Sequence, residues 1–247
     1  MDVGLTSGLD AIPAERLRSG VWLGAGVSAG RLQLDSAQAV VQGRVDVMPM
    51  VLLGADLWTS EEYGFLVRGS FGLNAQLTLP PVYGEQSLAY RQHHVLMGAL
   101  RRWHLSDAPD AITLSAGLGL RAQVDETPPQ RPTYLVDRAA LGPAALLGVM
   151  VPVSGALWLN GRASASTHVL VREDPADSGA LDSSLALEAA LEVCARVSEA
   201  LSVVVDVEWR RDQVSFVGFG TRAVGVYDAQ TDQIFWTAGA ALRVGIQ

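Results

Sequence analysis

Hydrophobic and polar positions alternate along this chain with a period of two, most clearly over residues 63–79, YGFLVRGSFGLNAQLTL. Tyr63, Phe65, Val67, Phe71, Leu73, Leu77 and Leu79 fall on one parity, and Arg68, Ser70, Asn74, Gln76 and Thr78 on the other. Successive side chains of a β-strand point to opposite faces, so one face here meets an apolar medium and the other a polar one. Strands of soluble domains usually run about 5–6 residues. A bilayer needs about 9–11 tilted residues, and more where a strand projects past the headgroups. The pattern predicts membrane-spanning strands.

The same period marks residues 20–34, 37–58, 90–105, 112–124, 139–153, 156–171, 184–197, 201–216 and 234–246, which makes ten segments with the first. Two of them compete with a helical reading. Residues 139–161 carry no charge, but Pro143, Pro152 and four glycines interrupt them. LALEAALEVCARVSEAL is rich in helix formers, yet Leu185, Leu187, Ala189, Leu191, Val193, Ala195 and Val197 keep strict alternation. The connections alternate too. TSEE, SDAPD, SG and SEA are short, whereas PPVYGEQS, DETPPQRPTYLVDR, REDPADSGALD and GFGTRAVGVYDAQTDQ are long. Outer-membrane barrels have short periplasmic turns, long external loops and an even strand number. The predicted fold is an all-β transmembrane, antiparallel, up-and-down β-barrel over 20–247 with about ten strands, or eight or twelve if the first or ninth segment is misread. Residues 1–19 form an aperiodic N-terminal segment, and an even strand count places it and the C-terminus in the periplasm.

Composition agrees: charged residues are 18% against a usual ~25%, and mean hydropathy is +0.23. A net charge of -8 argues against nucleic acid as a partner. The lone Cys194 excludes an internal disulfide. The opening MDVGLTSGLD has neither a basic nor an apolar leader region, so an export signal is expected upstream of Asp2.

The chain resembles bacterial outer-membrane proteins of the small single-chain β-barrel class. Such proteins end in a strand that the barrel-assembly machinery reads as polar, any, Gly, any, any, aromatic, any, aromatic. Thr237, Gly239, Leu242 and Val244 stand at that spacing, with Leu and Val in place of the aromatics. The resemblance implies that machinery, and outer-membrane lipid or lipopolysaccharide, as partners; other envelope proteins are further candidates.

The polar parity predicts the lumen. Arg44, Arg68, Arg102, Arg121, Arg162, Arg196, Arg210 and Arg243 are expected there, facing Asp46, Asp56, Glu188, Glu192, Asp206 and Glu208. About ten strands make a barrel that side chains can fill, and near-balanced buried charges are expected to pair. Tyr63, Phe65, Trp103, Trp209 and Trp236 are the expected membrane-interface aromatics, and Arg101 is expected to snorkel from the apolar face.

Other chemistry is weakly signalled. GAGVSAG at 24–30 lacks the spacing of a dinucleotide fingerprint. His93, His94 and His168 show no metal-ligand spacing, and REDPADSGALD lacks the carboxylate density of a calcium loop. His168 near Ser184 and Glu188 would allow a general base, but no catalytic motif surrounds them. No cofactor and no metal are expected. The reading is a non-enzymatic barrel plugged by ion pairs, acting as a membrane anchor or a component of an envelope assembly. A narrow channel for small solutes and a rim-sited hydrolase are the alternatives.

Overall fold

A computed structural model describes residues 19–37, 39–79, 86–108, 111–128, 133–223 and 226–246. Residues 1–18, most of the expected N-terminal segment, lie outside the described residues. Among the described residues twelve strands form one sheet: β1 (Ser19–Asp35), β2 (Val40–Trp58), β3 (Tyr63–Gly72), β4 (Ala75–Leu79), β5 (Gln86–His104), β6 (Thr113–Glu126), β7 (Asp137–Ser154), β8 (Leu157–Ser166), β9 (Leu170–Asp174), β10 (Ala180–Arg196), β11 (Leu201–Val217) and β12 (Gln230–Ile246). β3 with β4, and β8 with β9, are each one stave broken by a short interruption, so the wall has ten staves. β1 pairs antiparallel with β12 from Ser19↔Ile246 to Asp35↔Gln230, which closes the barrel. Residues 139–161 and 184–197 are strand, and no helix is found among the described residues.

Ten staves therefore stand where ten segments were expected. The strands run from a short-turn end, where the described chain begins and ends, to a long-loop end. Lipid is the medium that the middle of the outer wall fits. Leu23, Leu118, Leu147, Leu191 and Leu242 are all more than half exposed there, which water would oppose at about 25 cal/mol per Å².

Toward the long-loop end the polarity inverts. In β1 the outward row runs Val21, Leu23, Ala25, Val27 and Ala29 and then turns to Arg31, Gln33 and Asp35, while inward Leu32 and Leu34 are buried. Leu32, Leu34, Val41, Val45, Met48, Leu77, Tyr90, Val214, Phe216 and Phe235 belong to one apolar cluster inside this upper part. Here the barrel has water outside and an oily core within, as a soluble barrel does.

Three staves make the switch with an extra residue. β2 pairs Met48 with Ser28 but Val45 with Gly30, so it carries one residue more than β1 over that interval. β5 moves from His93 to Tyr90 while the β3–β4 stave moves from Phe71 to Ala75. β7 moves from Ala144 to Leu141 while its β8–β9 partner moves from Ser166 to Leu170. An added residue flips every later side chain to the other face. The strict alternation of residues 63–79 therefore hides a reversal. Phe65, Val67 and Phe71 face out, whereas Ala75, Leu77 and Leu79 face in and are buried.

Candidate functional site

The lumen holds charged side chains at three levels. At the short-turn end three tryptophans point inward, each under a guanidinium. Arg68 lies 4.6 Å over the Trp22 ring, Arg102 4.0 Å over Trp58 and Arg196 6.0 Å over Trp158. Gly54 makes room for this packing, because a Cβ there would meet the Trp22 ring at 2.1 Å. Arg243 Nη2 sits 3.7 Å from Asp56 Oδ2, and Arg102 Nε donates to the Glu61 carbonyl.

At mid-height Glu192 is the node. It accepts from Arg68, from Arg162 Nη2 at 2.9 Å and from Asn160 Nδ2 at 3.3 Å. β3 faces β8 and β10 across the lumen here, so the Arg68 contact spans the bore. Arg162 also approaches Glu188 Oε1 at 3.8 Å, and His94 Nε2 lies 3.6 Å from Glu188 Oε2. Arg210 Nε is 2.9 Å from Glu208 Oε1. Arg121 is buried, and its Nη2 donates to Gln123 Oε1 at 3.2 Å.

The third level centres on Asp125. Its carboxylate accepts from Tyr90 Oη at 2.9 Å, Gln92 Nε2 at 3.0 Å, Gln123 Nε2 at 3.1 Å, Gln233 Nε2 at 3.1 Å and Arg138 Nη2 at 2.9 Å. These donors come from β5, β6, β7 and β12. Beside them His168 Nε2 is 3.0 Å from Asp212 Oδ2. Above lies the apolar cluster, and over it the loop between β11 and β12 sets Arg222 on the Tyr134 carbonyl at 3.0 Å and on Glu173 at 2.6 Å. Burial pushes the Arg222 guanidinium below its usual range, with the Glu173 carboxylate opposing.

Of the residues expected in the lumen, Asp56, Arg68, Arg102, Arg121, Arg162, Glu188, Glu192, Arg196, Asp206, Glu208, Arg210 and Arg243 lie on inward parity below the extra residues. Arg44 and Asp46 do not. They form a 3.5 Å pair on the outer wall, with side chains 82% and 50% exposed, because the added residue of β2 turns this stretch outward. Sequence reasoning missed Asp125, Arg138 and Asp212. The signal was available: each continues the inward parity of its strand one step past the bounds or residues singled out.

Tyr63, Phe65, Trp103 and Trp236 are exposed on the outer wall, and Trp209 pairs with Trp236 in register. Arg101 stretches over the Tyr63 and Trp103 rings at 5.5 and 5.4 Å to reach Glu62 at 3.1 Å, so it leaves the apolar face as expected. His168 does meet Ser184, but through its backbone: its N–H donates to Ser184 Oγ at 2.6 Å while its ring faces Asp212. Ser184 thus ties the seam between the β8–β9 stave and β10 and is not aligned with an imidazole base.

No protein-family model matches the chain, and no curated protein does. Solved structures do. The outer membrane protease OmpT from Escherichia coli aligns with a TM-score of 0.52 at 10% identity, over 94% of this chain and 98% of that one. OprG from Pseudomonas aeruginosa aligns at 0.45 and 10% identity, over 93% and 97%. The transport unit of the autotransporter AIDA-I from Escherichia coli aligns at 0.41 and 12%, over 100% and 93%. At such identities the likeness reaches the fold and not the activity. With its closed ten-stave wall and apolar outer band, the chain has the antiparallel β-barrel fold that the outer membrane protease OmpT also has.

Proposed function

We propose that this barrel is a non-enzymatic component of the bacterial outer membrane, closed to solutes, which anchors its long loops on the external side and keeps both termini in the periplasm. The observation that carries the reading is the cross-lumen network at Glu192 and Asp125 beneath an apolar plug. A pore has to keep water along its axis. Here the axis is crossed by ion pairs whose side chains are mostly less than a sixth exposed, and breaking such pairs is costly. Long loops at one end and the first and last strand ends at the other fit an anchor or an envelope-assembly component. Outer-membrane lipid or lipopolysaccharide covers the wall, and the barrel-assembly machinery is met through β12.

Purified protein in planar bilayers tests this. We expect no stable ionic current, and large steady channels would overturn the closed-lumen reading in favour of the narrow-channel alternative. The hydrolase alternative draws no support from Ser184, whose hydroxyl is engaged by the His168 backbone.

A further inference from the structure

Three buried ligand atoms converge in the middle of the lumen: His94 Nε2 from β5 and Glu188 Oε2 from β10, neither with a hydrogen-bond partner, and Glu208 Oε1 from β11, whose charged neighbour Arg210 Nε at 2.9 Å is not aligned for a hydrogen bond. One ligand atom from each residue lies within 4.8 Å of the others, and His94 Nε2 is 3.6 Å from Glu188 Oε2. Leaving buried polar atoms without hydrogen bonds is expensive, and here such atoms lie beside one another. We propose that His94, Glu188 and Glu208 form a binding site for a zinc-class divalent ion that fastens opposite walls of the barrel together.

The geometry fits. Nitrogen and oxygen ligands sit about 2.0–2.2 Å from zinc, which at tetrahedral angles sets them roughly 3.4 Å apart. The His94–Glu188 separation needs to change by only tenths of an ångström, and the Glu208 separations, within 4.8 Å, by at most about 1.4 Å, which a side-chain rotation supplies. Metal-bound carboxylates are themselves held by outer partners, and these are present: Arg210 Nε at 2.9 Å from Glu208 Oε1, and Arg162 Nη1 at 3.8 Å from Glu188 Oε1. Glu188 and Arg162 also line a cavity of about 80 Å³ on the short-turn side of the three ligands, which leaves room for water beside the ion.

Charge decides which ion. Arg121, Arg162 and Arg210 all act on His94 electrostatically. Calcium and magnesium, held by charge through six or more oxygens, gain little beside three guanidiniums. An ion that bonds imidazole covalently, such as Zn²⁺, Co²⁺ or Ni²⁺, has an attraction that does not depend on net charge alone. Three protein ligands leave a fourth position for water.

The test uses the full chain folded in detergent, stripped with a chelator and titrated with Zn²⁺ by calorimetry and with Co²⁺ by visible absorption. We expect one ion per chain and a cobalt spectrum of low coordination number. His94→Ala and Glu208→Gln should each weaken binding by about 100-fold or more, since even an outer partner is worth 10- to 100-fold. His93→Ala, which alters the rim histidine beside Glu126, should leave binding unchanged. Glu208→Gln keeps the side chain's shape, so a folding defect in His94→Ala does not remove the test. No stoichiometric binding, or binding that survives Glu208→Gln, would overturn the proposal. These readouts are independent of conductance, so a conducting barrel that binds zinc would refute the closed lumen and leave the metal site standing.

Discussion

Asp125→Ala should be among the most damaging single substitutions in this protein. The carboxylate accepts from five side chains on four strands and is 2% exposed, and Arg138, its charged partner, is 4% exposed. Removing one member of a buried ion pair costs about 3–5 kcal/mol, because the other charge is left uncompensated. Asp212, 3.5 Å from Arg138, recovers part of that, and Gln92 and Gln123 keep Gln233 Oε1 as acceptor, whereas Tyr90 Oη and Gln233 Nε2 lose theirs and add ~1 kcal/mol each. The net expectation is a loss of roughly 4 kcal/mol. It can be read from urea titrations of folding into lipid vesicles, monitored by tryptophan fluorescence. The double variant Asp125→Leu with Arg138→Met separates the causes. If the orphaned guanidinium carries the cost, the double change destabilises less than the two single changes summed. A loss below about 1 kcal/mol, the range of exposed pairs such as Arg44–Asp46, or strict additivity in the cycle, would refute the claim that buried charge pairing holds this lumen together.

Three further outcomes follow from the wall. Leu118→Arg, at a site 75% exposed to lipid, should cost about 2–4 kcal/mol, whereas Gln33→Arg above the apolar band should cost less than ~0.5 kcal/mol; equal costs in vesicle-folding titrations would contradict the placement of the band. In variants that keep a single tryptophan, brominated lipid tails should quench Trp236 strongly and Trp22 weakly, and the reverse order would invert the assignment of faces. Gly142→Ala should impair folding, because a Cβ there would lie 1.7 Å from the Thr167 carbonyl oxygen where the β8–β9 stave adds its residue; the cost should reach at least the ~1–3 kcal/mol of overpacking, and wild-type stability in the same titration would show that the stave can shift.

The period of two made the stave count legible, since lipid on one side and packed polar groups on the other force alternation in every crossing. What it concealed was face. In β1, which has no added residue, the change from lipid to water is written openly at Ala29–Arg31. In residues 63–79 the change of medium coincides with an extra residue, so two reversals cancel and the pattern looks unbroken. Arg44 and Asp46 were misplaced for the same reason, since nothing in VVQGRVDVMPM marks where the bulge falls. The convergence of His94, Glu188 and Glu208 was illegible in another way: it joins opposite walls, and spacing along the chain carries no information about which residues meet across the bore.

The inverted upper part sets how far this protein reaches. β2 and β5, at 19 residues each, cover roughly 45 Å along the axis at ~3.3 Å per residue and a tilt near 45°, against an apolar belt of about 25 Å. A rigid collar some 15–20 Å tall is left standing clear of the hydrocarbon. The long loops therefore stand on a stiff pedestal lifted clear of the lipid, and they can be grafted or trimmed at the rim without disturbing the part that sits in fat.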